Sequence, residues 1–230
     1  MLGADSMEIP MDPGCSRAFA GRRVAITGAS GSLGVELLRC FHGYGASLVA
    51  LTTRAEPLEL ATSDGAPIPL EQVRWSSGHE SELSELFSRI DILVVNHGIN
   101  VHGDRSAGAL EVWINTSEAE ILPAVSPVYE ISKRLVGQLV SLRSLDLAGP
   151  ELRIRRLVLG PFRSNLNPIG LLGAGFVAQA VLRLAAWDWG LIIVTPNPLT
   201  YVIFPLAVLL RWTYLGLFSR PSAQAPDPAA

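Results

Sequence analysis

RRVAITGASGSLGVELLRCFHGYG, residues 22–45, is the stretch that decides the fold. It begins as a short β-branched run ending in glycine, which predicts a strand. It continues with apolar residues at helical spacing, Leu33, Val35, Leu37, Leu38 and Phe41, and closes on Gly43 and Gly45. Between the two, Gly28, Gly31 and Gly34 permit a tight bend and let backbone N–H groups approach a diphosphate at the positive end of a helix. A glycine triplet alone is weak evidence, since a ligand-free turn has the same composition. Placed directly after a strand and opening a helix, it points to a dinucleotide site. The candidate contacts are Thr27, Gly28, Ser30, Gly31, Leu33 and Gly34.

Strands and helices alternate outward from this turn. SLVALTT (47–53) predicts the second strand, QVRW (72–75) the third, DILVVN (91–96) the fourth and EVWINTS (111–117) the fifth; RIRRLVLG (153–160) and LIIVT (191–195) follow. ESELSELFSRI (80–90) reads as an amphipathic helix. Ser126 and Pro127 supply an N-cap and a first-turn proline for a long helix to about residue 146, and another helix surrounds 176–186. Short apolar strands alternating with helices predict an α/β fold, a doubly wound parallel sheet of Rossmann type covered on both faces. The expected division is a frayed leader over 1–20, one dinucleotide-binding domain over 21–196, an apolar helix over 197–219 and a disordered tail over 220–230.

The connection between strands four and five is short. Only fourteen residues, 97–110, separate them, and three are Gly98, Gly103 and Gly108. A parallel crossover needs at least about 10–12 residues, so the chain can pass but cannot hold a full helix with both its loops. The crossover helix is therefore expected to be shortened or missing, through a real deletion or through faulty assembly of the coding sequence.

Bulk composition limits the partners. At 230 residues the chain can bury one sizeable core. A formal charge of -3 without a basic stripe argues against nucleic acid. Cys15 and Cys40 are too few for a disulfide framework and read as free thiols in a reducing compartment. Four histidines without HxxxH or HxxHH spacing exclude a di-iron site, and no metal is expected. Residues 1–20 hold no continuous apolar segment of signal-peptide type, so the cytoplasmic side is the expected location. A 49% apolar content and a mean hydropathy of +0.33 are high, which directs attention to a membrane contact.

Residues 199–218 form the apolar run behind that figure. As a helix they would extend about 30 Å, with Arg211 the single charge, Pro205 inside and aromatic residues towards both ends. The run either meets a membrane, embedded or at its surface, or covers the sheet edge or a partner.

The chemistry lies in INTSEAEILPAVSPVYEISK (114–133). Tyr129 and Lys133 are four apart on one helix, hence on one face a turn apart. An ammonium beside a phenol favours the phenolate, and the helix N-terminus acts in the same sense, which makes a general acid/base for a carbonyl/alcohol pair. Ser117, at the end of strand five, could hold the substrate oxygen. Taken alone, such a Tyr/Lys pair is usually an exposed helix pair. Yet of eighteen basic residues seventeen are arginine, and the one lysine is Lys133. A planar guanidinium substitutes poorly for a compact ammonium that must reach both a phenol and a ribose. At the end of strand two, Thr52, Thr53 and Arg54 stand where an acid would serve an NAD ribose. They suit a 2′-phosphate, so NADP is favoured over NAD; alternatively Arg54 is solvated and Glu56 is the acid.

TGASGSLG (27–34), NHG (96–98), a serine and YEISK (129–133), in this order, resemble the short-chain dehydrogenase/reductase family over residues 22 to about 196. NHGINVHGDR, VWINTSEAE, SPVYEISKR, LGPFRSNLNP and IIVTPNPLTYVIFPL are similar, more narrowly, to the reductase half of bifunctional sterol desaturase/short-chain dehydrogenase proteins. The resemblance implies that Asn96 and Gly98 lie beside the adenosine half of the cofactor, with His97 a departure from the commoner NNAG. It implies a nicotinamide loop at GPFRS with Pro161 and Ser164, and a ribose contact from Lys133. It also implies that the missing helix carried a catalytic asparagine and paired with the Tyr129 helix across a dimer interface. Two functions are expected: an NADP-dependent oxidoreductase acting on a small, apolar, lipid-like carbonyl or alcohol, or an impaired nucleotide-binding partner of a membrane lipid-modifying, desaturase-like enzyme.

Overall fold

The computed structural model describes residues 12–76, 78–96, 110–124, 126–146, 152–165 and 167–218. Seven strands form one sheet: β1 (Arg23–Thr27), β2 (Ser47–Thr52), β3 (Glu71–Arg74), β4 (Ile92–Val95), β5 (Leu110–Ser117), β6 (Leu152–Leu159) and β7 (Leu191–Val194). Their order is β3-β2-β1-β4-β5-β6-β7, and every pairing is parallel. All seven expected strands are present. The four core strands β1, β2, β4 and β6 are buried along most of their length, as near-continuous apolar runs in a sheet covered on both faces must be.

Helices α1 (Pro13–Phe19), α2 (Ser32–Gly43) and α5 (Ala174–Ala186) cover one face. Trp113 of β5 is the largest fully buried side chain there and meets Phe19 and Phe41 edge-on or tilted, at 6.0 and 5.5 Å between centroids. The frayed leader expected over 1–20 is corrected by α1: Asp12 caps it by accepting from the Gly14 N–H, and Cys15 and Phe19 are buried. A seven-residue helix with two buried side chains has no strong periodic signal, and tertiary packing stabilises it. Residues 1–11 lie outside those described.

The other face carries α3 (Ser84–Phe87) with the 3-10 turn before it, α4 (Pro127–Asp146) and α6 (Thr200–Phe218). The helix expected over 80–90 thus divides into one 3-10 turn and one short α turn. β4 and β5 are adjacent and parallel; the connection between them, 97–109, including Gly98 and the crossover helix expected to be shortened or missing, lies outside the described residues. On α4, Val128, Ile131, Leu135 and Leu139 are exposed, and Leu142 is half-buried. α6 runs against α4 and β7, burying Thr200 and Phe204, and is continuous through Pro205.

The two thiols are enclosed. Burial pushes Cys40 up to about 12 and raises Cys15, while Tyr44, beside Cys15, is also pushed up to about 12 by burial. A thiol that ionises less readily when folded stabilises the fold below its unfolded pKa and loses that contribution as pH rises. Stability is therefore expected to fall between about pH 9 and 12, and a thiol reagent at pH 8 should label both cysteines only at the rate of unfolding. Rapid labelling of native protein would contradict this burial.

Candidate active site at the sheet switch point

Strand order reverses between β1 and β4, and α/β sheets bind ligands in the crevice this leaves at the strand carboxyl ends. The turn after β1 opens into that crevice. Gly28 has φ +61°, a left-handed conformation that favours glycine. At Gly34 a Cβ would lie 2.4 Å from the Gly28 carbonyl oxygen, so only glycine lets α2 approach the turn. α2 has Gly31 at its N-cap position, with no side-chain cap and no acid in its first turn, which leaves its positive end available to an anion. The residues fit a dinucleotide diphosphate.

Thr27 Oγ1 accepts from the Asn96 N–H at 3.0 Å, which ties the two sides of the crevice. Asn96 Oδ1 in turn accepts from Asn115 Nδ2 at 2.7 Å. Asn115, on β5, thus orients the Asn96 side chain. At the end of β2, Thr52 is buried, 3.3 Å from the Ser30 hydroxyl, and accepts from the Arg54 N–H at 3.2 Å. That local turn leaves Thr53 and Arg54 exposed at the crevice rim. Glu56 is exposed too, and its carbonyl accepts from Gln72. Thr52, grouped by the sequence with Thr53 and Arg54, is instead buried and serves the turn, because a buried hydroxyl and an exposed one look alike in a sequence.

The loop after β6 closes the crevice. The Asn165 N–H donates to the Ser32 hydroxyl at the start of α2, at 3.3 Å. Pro161 is exposed and its carbonyl accepts from the Leu171 N–H, while Ser164 exchanges backbone bonds with Asn167. Leu33 is buried under the turn.

Ser117 ends β5, nearly buried, with its hydroxyl accepting from the Ala119 N–H at 3.2 Å. Ser126 starts α4 and accepts from the Tyr129 N–H at 3.4 Å. Tyr129 is exposed, and its hydroxyl has no hydrogen-bond partner among the described residues. Lys133 Nζ sits over the Tyr129 ring, 5.5 Å from its centroid. Burial drives the Lys133 ammonium below its ordinary pKa, and the Glu120 carboxylate pulls the other way. The structure therefore brings Tyr129 and Lys133 together, but no bond links Ser117 to either. Glu120 was missed by the sequence reading.

A cleft of about 360 Å³, bordered by Phe19, Arg22, Glu111, Arg153, Arg155 and Asp188, lies at the opposite, N-terminal strand edge. Glu111 there is paired with Arg22 and Arg155 and bonded by the Trp113 indole, so its polar groups are already matched within the chain. It is the wrong end of a parallel sheet for a dinucleotide.

Fold and site together define a nucleotide-binding enzyme scaffold of the short-chain type, and comparisons with known proteins agree. No protein-family model matches the chain. It is 36% identical over 240 residues to a monoglucosyldiacylglycerol epimerase of Synechocystis sp., covering 91% of this chain and 58% of the relative. It is 28% identical over 149 residues to a dehydrogenase/reductase SDR family protein 7-like of Anopheles gambiae, covering 57% of this chain and 47% of that protein. The chain spans about half the length of these curated relatives. Since 91% of 230 residues is about 209, about 31 of the 240 aligned positions of the first comparison face gaps in this chain. Among solved structures, a short chain dehydrogenase from Burkholderia cenocepacia J2315 in complex with NADP superposes with TM-score 0.64 at 17% identity, over 88% of this chain and 99% of that one. One from Sphingobium yanoikuyae in complex with NADPH gives 0.61 at 15%, over 90% and 99%. The chain belongs to the short-chain dehydrogenase/reductase family.

Proposed function

We propose that the protein is an NADP-dependent oxidoreductase that interconverts a carbonyl and an alcohol on a lipid-borne substrate. The observation that carries this reading is the Lys133 ammonium stacked over the Tyr129 ring on one face of α4. The glycine turn and the uncapped α2 terminus would hold the diphosphate; Asn96 would border the adenosine half, and Pro161 and Ser164 the nicotinamide. When bound, NADP supplies the hydride donor or acceptor. Tyr129 gives a proton to the substrate oxygen in reduction and takes it in oxidation. Lys133 favours the phenolate and bonds the ribose, and Ser117, turning its hydroxyl from Ala119, holds the substrate oxygen. A sugar-lipid headgroup is a suitable substrate, as the name of the Synechocystis relative suggests, because a carbinol centre can invert through a transient ketone when its hydride passes to the cofactor and returns to the opposite face.

The outer face of α6 supports a membrane-surface location for this chemistry. Leu206, Leu209, Leu210, Trp212, Tyr214, Leu217 and Phe218 are exposed, while Arg211 is turned inward to Glu120 at 3.2 Å. A helix held sideways against the domain lies along a bilayer surface instead of crossing it. A second reading, a nucleotide-binding partner with impaired turnover, is favoured by the short β4–β5 connection alone.

The test is cofactor binding followed by fluorescence, with turnover on lipid ketones and sugar lipids in micelles. NADPH should bind more tightly than NADH. Arg54→Ala should weaken NADPH by about tenfold and leave NADH unchanged, since only the 2′-phosphate loses a partner. Equal weakening of both would remove the NADP assignment. Binding without turnover on any substrate would favour the partner reading.

A further inference from the structure

Glu120 ends the 3-10 turn that follows Ser117, and its side chain is completely buried. It rests on α4 at Gly137, where a Cβ would come within 1.7 Å of Oε2. Gly137 is four residues beyond Lys133, and Lys133 four beyond Tyr129. Phenol, ammonium and the seat of the carboxylate therefore succeed one another along one stripe of α4, a turn apart. Oε2 faces Arg211 at 3.2 Å and Arg156 at 3.8 Å. Oε1 is buried and has no hydrogen-bond partner among the described residues. Nζ of Lys133 likewise has no acceptor among them. A buried carboxylate oxygen without a donor, one turn from an ammonium without an acceptor, is an incomplete arrangement.

We propose that Glu120 is a positioning residue for Lys133, with Oε1 the acceptor that steers the ammonium along α4 and keeps it charged beside Tyr129. The inference rests on Lys133 belonging to the acid/base pair. Its electrostatic basis is the crowding of cations. Arg156 enters from β6 and Arg211 from α6, each close to Ser141 on α4, and both guanidinium groups compete for Oε2. Without the carboxylate, Lys133 would keep only the burial that already disfavours its ammonium, and each cation that neutralises Oε2 weakens the support the carboxylate gives it. The Gly137 notch serves this arrangement, since any side chain there would evict the carboxylate.

Lys133 is the only lysine in the chain, which makes the test direct. Reductive methylation with ¹³C-formaldehyde labels it and the terminal amine, and its NMR titration gives the midpoint without any turnover. In the full chain, Glu120→Gln, which keeps the shape and removes the charge, should lower that midpoint by about one unit or more. Arg211→Gln, which removes a competing cation, should raise it. With Glu120→Gln the rising limb of the kcat–pH profile should move by the same amount, whereas a purely structural role would change only stability. Midpoints within about 0.3 unit of the parent in both variants would overturn the proposal. If Glu120→Gln does not fold, an unchanged or lowered midpoint in Arg211→Gln is sufficient to overturn it. A shifted midpoint in a protein that turns over nothing would count against the oxidoreductase reading and leave this one standing.

Discussion

Tyr129→Phe should lower kcat on a lipid ketone by about 10²–10⁴-fold and leave NADPH binding within about twofold of the parent. The substitution removes one oxygen from an exposed side chain, so the fold loses nothing it depends on. What disappears is the group that can deliver a proton to the carbonyl oxygen. Lys133→Arg should be nearly as damaging although it keeps the charge, because a planar guanidinium over the ring cannot also reach a ribose from the same stem. Steady-state assays with a separate binding titration distinguish the outcomes. Retained turnover in Tyr129→Phe would end the acid/base assignment. Lost NADPH binding would mean that the phenol instead supports the cofactor site.

The second large effect is on stability. Glu120→Ala should destabilise the protein by about 3–5 kcal/mol, because it leaves Arg156 and Arg211 buried without their counter-ion. For a domain of this size that is a drop of roughly ten degrees in Tm. Gly137→Ala should move stability in the same direction through a different cause: a methyl group in the space of the Glu120 carboxylate. Calorimetry or urea unfolding checks both, and a loss below about 1 kcal/mol in Glu120→Ala would show that the cluster contributes little to the fold. In either variant α6 should loosen first, since among the described residues Arg211 is its one polar attachment to the α4 side, and limited proteolysis after 199 would report that.

Part of this organisation was legible before any coordinates. Strand runs such as 91–96 and 153–160 are apolar, β-branched and bounded by turns, and each became a parallel strand. The glycine turn was legible because glycine spacing records backbone geometry: Gly28 bends with positive φ, and Gly34 admits the helix. Tyr129 and Lys133 were legible because helical spacing alone puts them on one face. The frayed leader was misread because Cys15 and Phe19 acquire their apolar partners, Phe41, Tyr44 and Trp113, only when distant elements assemble.

The sequence by itself determined the parallel sheet, the nucleotide turn, the Tyr129/Lys133 pair and the shortness of the β4–β5 connection, because each follows from spacing within a few tens of residues. Only the tertiary structure decided that Glu120, Arg156 and Arg211 form one buried group, that Asn115 supports Asn96, and that the apolar C-terminal helix lies against the domain. Those contacts join residues 19 to 91 positions apart. No local periodicity encodes them: a buried carboxylate is identifiable only once the chain has brought the cations that neutralise it.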